Sequence, residues 1–426
     1  MDHHRFPRAA RSWLLTTTLL IASGARAGAS EPLTLAQAFA LVLARNPELA
    51  ASAAEVRARE AHVVQAGLLP NPHVEGEVEN VGGSGTRQEF EETETTVGLS
   101  QLLELAGKRG KRRRVAELAT DLARFDHEAR RLAALSDTTK AFVRALAAQE
   151  RVRLAAELER LAGQGVDAMR AQVGAGAAAG VEVSRARVTF ARSDVARRRA
   201  ERELEAAGRA LARTWGDDGL GARELAGDLS LPASLPPLGA FEDATAEGPD
   251  VARWGSELEE RRAAVALEEA GRVPDVTVGA AGRHFSDNGD NALVFDLSVP
   301  LPVFDRNQGA IAEARHRLEK ARAEREAAAL AVRAAVASAY AELAAAHDEA
   351  VRLRDDVIPA ARRAFDGARA AYRQGAFRVV DVLDAQRTLF ELRTDYIAAL
   401  ETFHVQAAEV GRLTGAPLFE PTEVVR

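Results

Sequence analysis

The sequence predicts a mainly α-helical chain that also carries a β-barrel portion, built as two copies of one pattern. The helical prediction comes from two stretches without proline, residues 74–229 and 304–358, in which apolar residues recur every seventh position, as at Leu118, Phe125 and Leu132. This interval is typical of long helices packed side by side as in a coiled coil. A helix of about 65 residues would be roughly 100 Å long. The strand prediction comes from short segments in which apolar and polar residues alternate.

The N-terminal segment, residues 1–27, is predicted to be a secretory signal peptide. Three arginines precede the apolar run of residues 13–22, and small residues follow at offsets suited to cleavage after Ala27 or Ala29. The alternative is an N-terminal membrane anchor, but the run is only about half as long as a helix that spans a bilayer. The sequence therefore predicts export of the mature chain.

The composition of the mature chain narrows its function. Loss of residues 1–27 removes four arginines and one aspartate and changes the net charge from −7 to −10, which argues against nucleic acid as a partner. The chain contains no cysteine, so disulfides and lipid attachment through an N-terminal Cys are excluded. No uninterrupted apolar stretch of 18 residues follows the signal segment, which predicts that no helix crosses a membrane. If the chain spans a membrane, strands must do so.

An internal repeat divides the chain. We predict a first repeat over residues 28–228, a Pro-rich linker over 229–240 and a second repeat over 241–426, each ordered helix, strand, strand, long helix, shorter helix. The matching positions are Pro47, Gly67 and Pro70 with Pro249, Gly271 and Pro274, and, at a constant offset of 199 residues, Gly176, Glu182, Ala186 and Gly216 with Gly375, Asp381, Ala385 and Gly415.

Each repeat carries two predicted strands of about ten residues. In "PNPHVEGEVENVGG" (70–83), two valines point one way and three glutamates point the other, which is the period of a strand. Strands of this length with one apolar face fit a transmembrane barrel, and the alternative is a soluble hairpin packed on the helices. The four segments are 72–82, 92–102, 274–284 and 291–301.

A barrel interpretation requires several chains. A sheet in lipid must close, because an open edge leaves backbone groups without hydrogen bonds. Four strands are too few to close a barrel, since known barrels begin at eight. In that case the glutamates line a water-filled lumen and the valines face lipid. The aromatic girdle expected of such a barrel is thin, with Phe90, Phe285, Phe295 and Phe304 near the strands.

Three segments, in this order, resemble the TolC-type outer-membrane efflux channels, and among these the CzcC-like heavy-metal branch. They are "GLLPNPHVEGEVEN" (67–80), "LSQLLELAGKR" (99–109) and "LSVPLPVFDRNQGAI" (297–311). The chain departs from the pattern at "QLLELAG", where many relatives have Pro after the Gln and a second Gly before the Lys. The resemblance covers essentially the whole mature sequence.

The resemblance implies a homotrimer in which the outer-membrane strands of three chains complete a twelve-stranded barrel. The long helices would form an α-barrel tunnel that extends into the periplasm of a Gram-negative cell. The implied partners are a periplasmic membrane-fusion (adaptor) protein, an inner-membrane resistance-nodulation-division pump and outer-membrane lipid. Neither an enzyme activity nor a cofactor is implied.

The turns between the long and the shorter helix of each repeat are predicted at 172–186 and 373–385. Gly176 and Gly375 would give the backbone freedom that a tight reversal needs. The resemblance implies that these periplasmic tips contact the adaptor, and the alternative is an ordinary surface turn. The predicted contact residues are Gly176, Glu182, Gly375, Phe377 and Arg378.

A periplasmic constriction is predicted at Asp381 and Asp384. They are three positions apart and so share one face of a helix, and threefold assembly would bring two carboxylates from each chain around one axis, where they attract cations. The matching positions of the family form the constriction. The first repeat has Glu182 and Arg185 there instead, and Glu182 could pair with Arg378. The alternative is that two acids near a helix start stabilise the helix dipole.

A basic segment, "GKRGKRRR" (107–114), lies where strand gives way to helix. Its residues Lys108, Arg109, Lys111 and Arg112 are predicted to form a basic collar near the anionic headgroups of the periplasmic leaflet. A solvated helix start is the alternative.

No metal site and no catalytic site are predicted. No two of the seven histidines after residue 27 are spaced i, i+4, and Met169 is the only methionine of the mature chain. No phosphate-binding Gly loop opens a helix, and no nucleophile elbow is present.

Two classes of function remain. The first is a passive outer-membrane exit duct of a tripartite efflux system, for divalent metal cations such as cobalt, zinc or cadmium, with multidrug or type I secretion as the alternative cargo. The second is a periplasmic coiled-coil adaptor or scaffold. The duplicated strand pairs favour the duct.

Overall fold

The structure, a computed structural model, describes residues 31–85, 92–221, 223–245 and 248–415. The predicted signal peptide and Phe90 lie outside these residues. The described chain is mainly helical, with one sheet. Its helices are α1 (Leu35–Arg45), α2 (Pro47–Ala66), α3 (Lys108–Gly174), α4 (Gly180–Arg213), α5 (Leu238–Thr245), α6 (Pro249–Ala270), α7 (Gln308–Arg352), α8 (Ile358–Arg373) and α9 (Val379–Thr414), and its strands are β1 (His73–Glu79), β2 (Glu94–Leu103), β3 (Val276–Phe285) and β4 (Asn291–Ser298).

The long helices have the predicted length. Helix α3 has 67 residues, which corresponds to roughly 100 Å. Helices α7 and α8 are joined by a π-helical turn, Leu353–Val357, into one helix of 66 residues. Pro359 lies just after this turn, where its missing N–H and its ring would disturb a regular α-helix. The π turn widens the helix at that point, so the helix continues past the proline.

The same joined helix is long and apolar enough to cross a membrane, although the sequence analysis predicts that no helix does so. One 18-residue window of residues 308–373 has a mean hydropathy of 1.3, which by length and composition suffices to cross a membrane. The helix is rich in alanine, and only 22% of the window is buried inside the chain. The prediction that no helix qualifies was therefore too strict. Helices of soluble proteins share this length and composition, so these two properties do not define a membrane span.

The two halves follow one order of elements: helix, strand, strand, long helix, shorter helix. Pro47 and Pro249 each occupy the first turn of a helix, where a missing N–H costs nothing. Gly216 and Gly415, which end the shorter helices, both have a left-handed backbone with φ of 80° and 77°.

The four strands form one antiparallel sheet in the order β1-β2-β3-β4. The two hairpins are joined through β2 and β3, which pair from Glu94 with Phe285 to Leu103 with Val276. The outer edges, on β1 and β4, have no partner strand within the described residues. The predicted strands were about ten residues long, and the observed strands have seven to ten.

The main core lies halfway along α3, away from the sheet. There the completely buried side chains of Phe142, Val143 and Leu146 pack against α1, the end of α4 and the middle of α9. The segment after α4 closes over this core, because the Gln149 side chain exchanges two hydrogen bonds of 3.1 and 2.9 Å with the backbone of Leu225. The apolar core thus holds the two repeats together at mid-length.

The Pro-rich segment that follows, residues 229–237, lies on α7 and α9. The Tyr340 hydroxyl donates to the carbonyl of Pro236 at 2.9 Å, and His347 Nε2 lies 3.1 Å from the carbonyl oxygen of Pro232. Next to them His404 is 2% exposed and stacks edge-on against Phe403, with ring centroids 5.0 Å apart. Burial lowers the pKa of His404 to about 4.

We expect the free energy of unfolding to fall as the pH falls below about 6.5. The unfolded chain binds a proton at His404 near pH 6.5, whereas the folded chain does so only near pH 4. The contribution of the neutral imidazole is therefore complete above pH 6.5 and is lost as the pH falls toward 4, by about 2 kcal/mol between pH 7 and pH 5. Urea unfolding of wild type and His404→Phe at both pH values measures it.

His316, whose side chain is exposed, provides the matched control. His316→Phe should keep the pH dependence of the wild type, whereas His404→Phe should lose about 2 kcal/mol of it. Equal pH dependence in wild type and His404→Phe would contradict the assignment.

Candidate channel surfaces

One face of the sheet is apolar and exposed. A row of partners crosses all four strands, Val74 with Leu99, Leu99 with Ala280, and Ala280 with Phe295. Val74 is 77% exposed and Phe295 is 79% exposed. A soluble protein does not usually leave such a contiguous apolar patch uncovered. The hairpins are not packed on the helices by this face, which disfavours the soluble-hairpin alternative.

The opposite face is polar and acidic. By alternation it carries Glu75, Glu77 and Glu79 of β1, Glu94 of β2 and Asp296 of β4. Ser100 Oγ donates to Glu75 Oε1 at 2.6 Å. The predicted division of β1 into a valine face and a glutamate face is confirmed by the pairing register.

The aromatic side chains near the strands are divided between the faces. Phe295 lies on the apolar face, whereas Phe285 pairs with Glu94 and so lies on the polar face. Phe285 therefore does not add to an aromatic girdle on the apolar face, which is as thin as the sequence suggests. Phe304 follows β4 and is 91% exposed.

A second exposed apolar group lies where the strands meet the helices. It comprises Leu68, Leu69, Leu301, Val303 and Phe304, all more than a third exposed. These residues flank the two hairpins on the side from which α3 and α7 emerge. The sequence signal for this group was the pair of motifs "GLLPNP" and "PLPVFD", which sequence reasoning used for family resemblance only.

The predicted basic collar lies at the same junction, but two of its members are bound inside the molecule. Lys108 Nζ lies 2.8 Å from Asp275 Oδ1, which also accepts from the backbone N–H of Leu105. Arg112 binds Glu104 with two hydrogen bonds of 2.6 and 3.1 Å, and Glu104 is almost buried. Lys108 and Arg112 thus join strand to helix, and their contact with headgroups stays a prediction.

The other collar residues differ in exposure. Arg109 is exposed and Lys111 is half-buried. Contact of these two with lipid headgroups remains a prediction.

The two predicted tip turns are formed in the same way. Gly176 and Gly375 have φ of 72° and 75°, and each ends a long helix. In the first turn Ala177 N–H donates to the carbonyl of Gln172 at 2.8 Å, and in the second Ala376 N–H donates to that of Ala371 at 3.0 Å. This is a Schellman ending, which requires a left-handed residue at the glycine position.

The two tips of one chain are bound to each other. Tyr372 Oη donates to Gln172 Oε1 at 2.7 Å, and the ring packs on a small cluster that includes Met169 and Ala186. Phe377 and Arg378 project from the second tip, with the Arg378 side chain 84% exposed. The structure therefore presents a paired tip with an exposed aromatic and an exposed cation.

The predicted constriction residues make local contacts. Asp381 Oδ2 accepts the backbone N–H of Arg378 at 2.9 Å, so it caps the start of α9. Asp384 pairs with Arg387 at 2.5 Å on the same helix. The alternative role for Asp381, stabilising the helix start, is therefore present in the structure. The cap does not exclude a further role at the constriction.

Glu182 does not pair with Arg378. Its carboxylate binds Arg185 at 2.9 Å, three positions along α4, which is the nearest cation on its own helix face. The predicted ion pair between Glu182 and Arg378 was therefore wrong. At the positions that match Asp381 and Asp384, the first repeat has an acid and a base that pair with each other.

A cavity of about 290 Å³ lies between the tips, and a groove of about 640 Å³ continues from it between α4 and α9. Glu182 Oε2 and Gln386 Nε2 both line the cavity and are buried without a hydrogen-bond partner. Gln386 is only 7% exposed. The contact between α4 and α9 is thus polar at Glu182 and Gln386. The sequence did not indicate this, because each of the two residues alone is typical of an exposed helix position.

Among the described residues, no group of three or more His, Cys, Asp or Glu side chains could hold a metal ion. The absence of a resident metal and of catalytic residues remains a prediction.

Comparison with known proteins decides the family. The model of the outer membrane efflux protein family matches residues 24–217 and 240–416 of this chain. The chain belongs to this family. It is 32% identical over 387 residues to the cobalt-zinc-cadmium resistance protein CzcC of Cupriavidus metallidurans, covering 91% of each chain. The resemblance to TolC-type channels and to their CzcC-like branch is therefore confirmed.

Solved structures share the fold of this efflux protein. A membrane protein from Pseudomonas aeruginosa superimposes with a TM-score of 0.77 at 20% identity, over 90% of each chain. The CusC channel superimposes with a TM-score of 0.75 at 19% identity, over 90% of this chain and 92% of CusC. The mainly helical fold with a small sheet is thus that of outer-membrane efflux channels.

Replacing Gly375 by leucine should abolish efflux while leaving the protein in the outer membrane. A side chain at φ of 75° is strained by about 1–2 kcal/mol, although no atom lies within 4 Å of the added Cβ. The strain would displace the tip turn and leave the distant core intact. Metal resistance and outer-membrane protein levels measure the two effects.

Gly367 is the matched control, because it lies in regular α8 with equally open space around it. Gly367→Leu should keep resistance. Unaffected resistance in Gly375→Leu would count against a role of this tip in efflux.

Proposed function

We propose that this chain is the outer-membrane exit duct of a tripartite resistance-nodulation-division efflux system and that it exports heavy-metal cations such as cobalt, zinc or cadmium. The observation that carries the proposal is the 32% identity to a cobalt-zinc-cadmium resistance protein over 91% of both chains. A passive duct needs no catalytic group. Selectivity among different metal cations is expected to reside in the pump.

The membrane part of the duct is a barrel of three chains. Within the described residues, the outer edges of β1 and β4 have no partner strand. In the trimer, β4 of one chain runs antiparallel to β1 of the next, which closes a ring of twelve strands. The apolar face, with Val74 and Phe295, then faces lipid. The polar face lines the lumen. The exposed apolar group at the strand–helix junction lies at the periplasmic surface of the bilayer, where Arg109 and Lys111 reach anionic headgroups.

The helical part crosses the periplasm. Helices of 66 and 67 residues are long enough for a tunnel of roughly 100 Å, and the tips lie at the end remote from the sheet. The periplasmic adaptor contacts the tips, through Phe377 and Arg378 of the second repeat and the Gly176 turn with Glu182 of the first. The inner-membrane pump then delivers its cargo into the tunnel.

The narrowest part of the tunnel is formed by Asp381 and Asp384. Arg387 pairs with Asp384 at 2.5 Å and Arg378 with Asp381 at 3.8 Å, yet both pairs are exposed, and such pairs are weak. The carboxylates therefore still favour cations at the axis.

The proposal predicts that deletion of the gene lowers resistance to Co²⁺, Zn²⁺ or Cd²⁺ and raises the metal content of the cells. Plasmid-borne wild type should restore both, and the protein should fractionate with the outer membrane. Loss of drug resistance with unchanged metal content would favour the multidrug alternative. A soluble periplasmic location would overturn the duct and favour an adaptor or scaffold.

Two neighbouring positions on opposite faces of β4 sharpen this test. Phe295→Lys should prevent recovery of the protein from the outer membrane, because a lysine facing lipid costs about 2–4 kcal/mol per chain. Val294→Lys, on the polar face, should be recovered normally. Equal recovery of the two variants would contradict the assigned faces.

Neutralising the constriction is expected to lower cation preference and divalent block in single-channel recordings. Asp381→Asn with Asp384→Asn removes the charges and keeps a side chain that can still cap α9. The control is Asp355→Asn, which removes an exposed acid paired with Arg354 at the π turn. If conductance, cation preference and divalent block all stay at wild-type values in the double variant, the constriction lies elsewhere.

A further inference from the structure

One guanidinium ties together three strands on the polar face of the sheet. Arg283 of β3 lies 2.9 Å from Glu94 of β2 and 3.2 Å from Glu79 of β1, and its Nε donates to Thr96 Oγ1 at 3.0 Å. Within the four described strands, Arg283 is the only lysine or arginine. Among the residues of these described strands, the carboxylates of that surface therefore face no other guanidinium or ammonium group.

The position of this contact in the sheet matters. Glu79 and Glu94 are a register pair and the last one before the connection between β1 and β2, and Phe285 ends β3 beside them. The helices leave from the opposite end of the sheet. In the proposed trimer, Arg283 therefore lies at the outer mouth of the barrel, where cargo leaves the duct.

The remaining carboxylates lie deeper. Glu77 is in the row of Thr96 and Arg283, two strands from the guanidinium, and Glu75 and Asp296 lie farther toward the helices. Carboxylate oxygens are good ligands for divalent cations. A pore, however, conducts only if its cargo binds weakly enough to leave. Three copies of Glu79 and Glu94 at the mouth, without a counter-charge, would hold such cations.

We propose that Arg283 sets the ion selectivity of the outer mouth by offsetting one of the two negative charges of Glu79 and Glu94, so that cations attracted along the acidic lumen are released there. This inference rests on the proposed function, since it requires the polar face to line a pore. It adds a residue that determines specificity at the end of the duct opposite to the predicted constriction.

The test is bilayer recording of the purified full chain, with reversal potentials in a KCl gradient and block by added Zn²⁺. Arg283→Gln should raise the cation-to-anion permeability ratio roughly threefold and produce Zn²⁺ block at lower concentration. Arg283→Lys keeps the charge and loses the fork of hydrogen bonds, so it should retain the wild-type ratio. If the role of Arg283 were purely structural, Arg283→Lys would impair assembly as much as Arg283→Gln. The cation-to-anion permeability ratio of the assembled pores would then stay at the wild-type value.

Arg209→Gln is the matched control, because it removes an exposed guanidinium from α4, outside the sheet. It should leave the ratio and the block unchanged. If Arg283→Gln does not assemble, Glu94→Gln provides the test. It should lower the cation-to-anion permeability ratio by a similar factor, because it removes one of the two negative charges that Arg283 contacts.

The outcomes separate the two proposals. A wild-type protein that forms no pore overturns the proposed duct, and this inference with it. A wild-type pore whose selectivity and Zn²⁺ block do not change in Arg283→Gln, or in Glu94→Gln, overturns only the role of Arg283.

Discussion

The two open edges of the four-stranded sheet are the constraint on which the rest of the structure depends. Strands β1 and β4 lack a partner within the described chain, and the face between them is apolar and exposed. In hydrocarbon, each unpaired backbone group costs several kcal/mol. One chain therefore cannot be stable in a membrane by itself. In the proposed trimer, closure with further copies would satisfy the edges, cover the apolar face with lipid and enclose the carboxylates in water.

The junction between strand and helix fixes the orientation of the long helices relative to the sheet. Arg112 binds Glu104 and also donates to the carbonyls of Ala66 and Leu68, so the ends of α2 and β2 are fixed to the start of α3. The chain turns there through two left-handed residues, Ala106 and Gly107, with φ of 54° and 70°. Because an alanine in this conformation is strained, the surrounding contacts must hold it. Barrel and helices are consequently held in a fixed relation.

Much of this architecture could be predicted from the sequence, because periodic patterns specify it. The alternation of Val74 to Glu79 gave the two faces of β1, and proline-free heptads gave the long helices. What could not be predicted depends on partners distant along the chain. Lys108 meets Asp275 only after the two hairpins pair, and His404 is buried only because the segment after the first repeat lies over α7 and α9. Neither contact leaves a periodic signal.

The helices carry a second, independent argument for assembly. Val181, Val188 and Val195 lie seven apart on α4 and are all more than half exposed, so they form a stripe of the kind that faces another helix. Within one chain, an apolar core joins the two repeats at mid-length, whereas ion pairs between the repeats, such as Arg151 with Glu401 at 2.6 Å, are partly exposed and contribute little each. In the proposed trimer, apolar stripes of neighbouring chains would meet along the tunnel wall and add to its stability. The same copies that close the sheet would cover these valines, so the barrel and the tunnel require one and the same assembly.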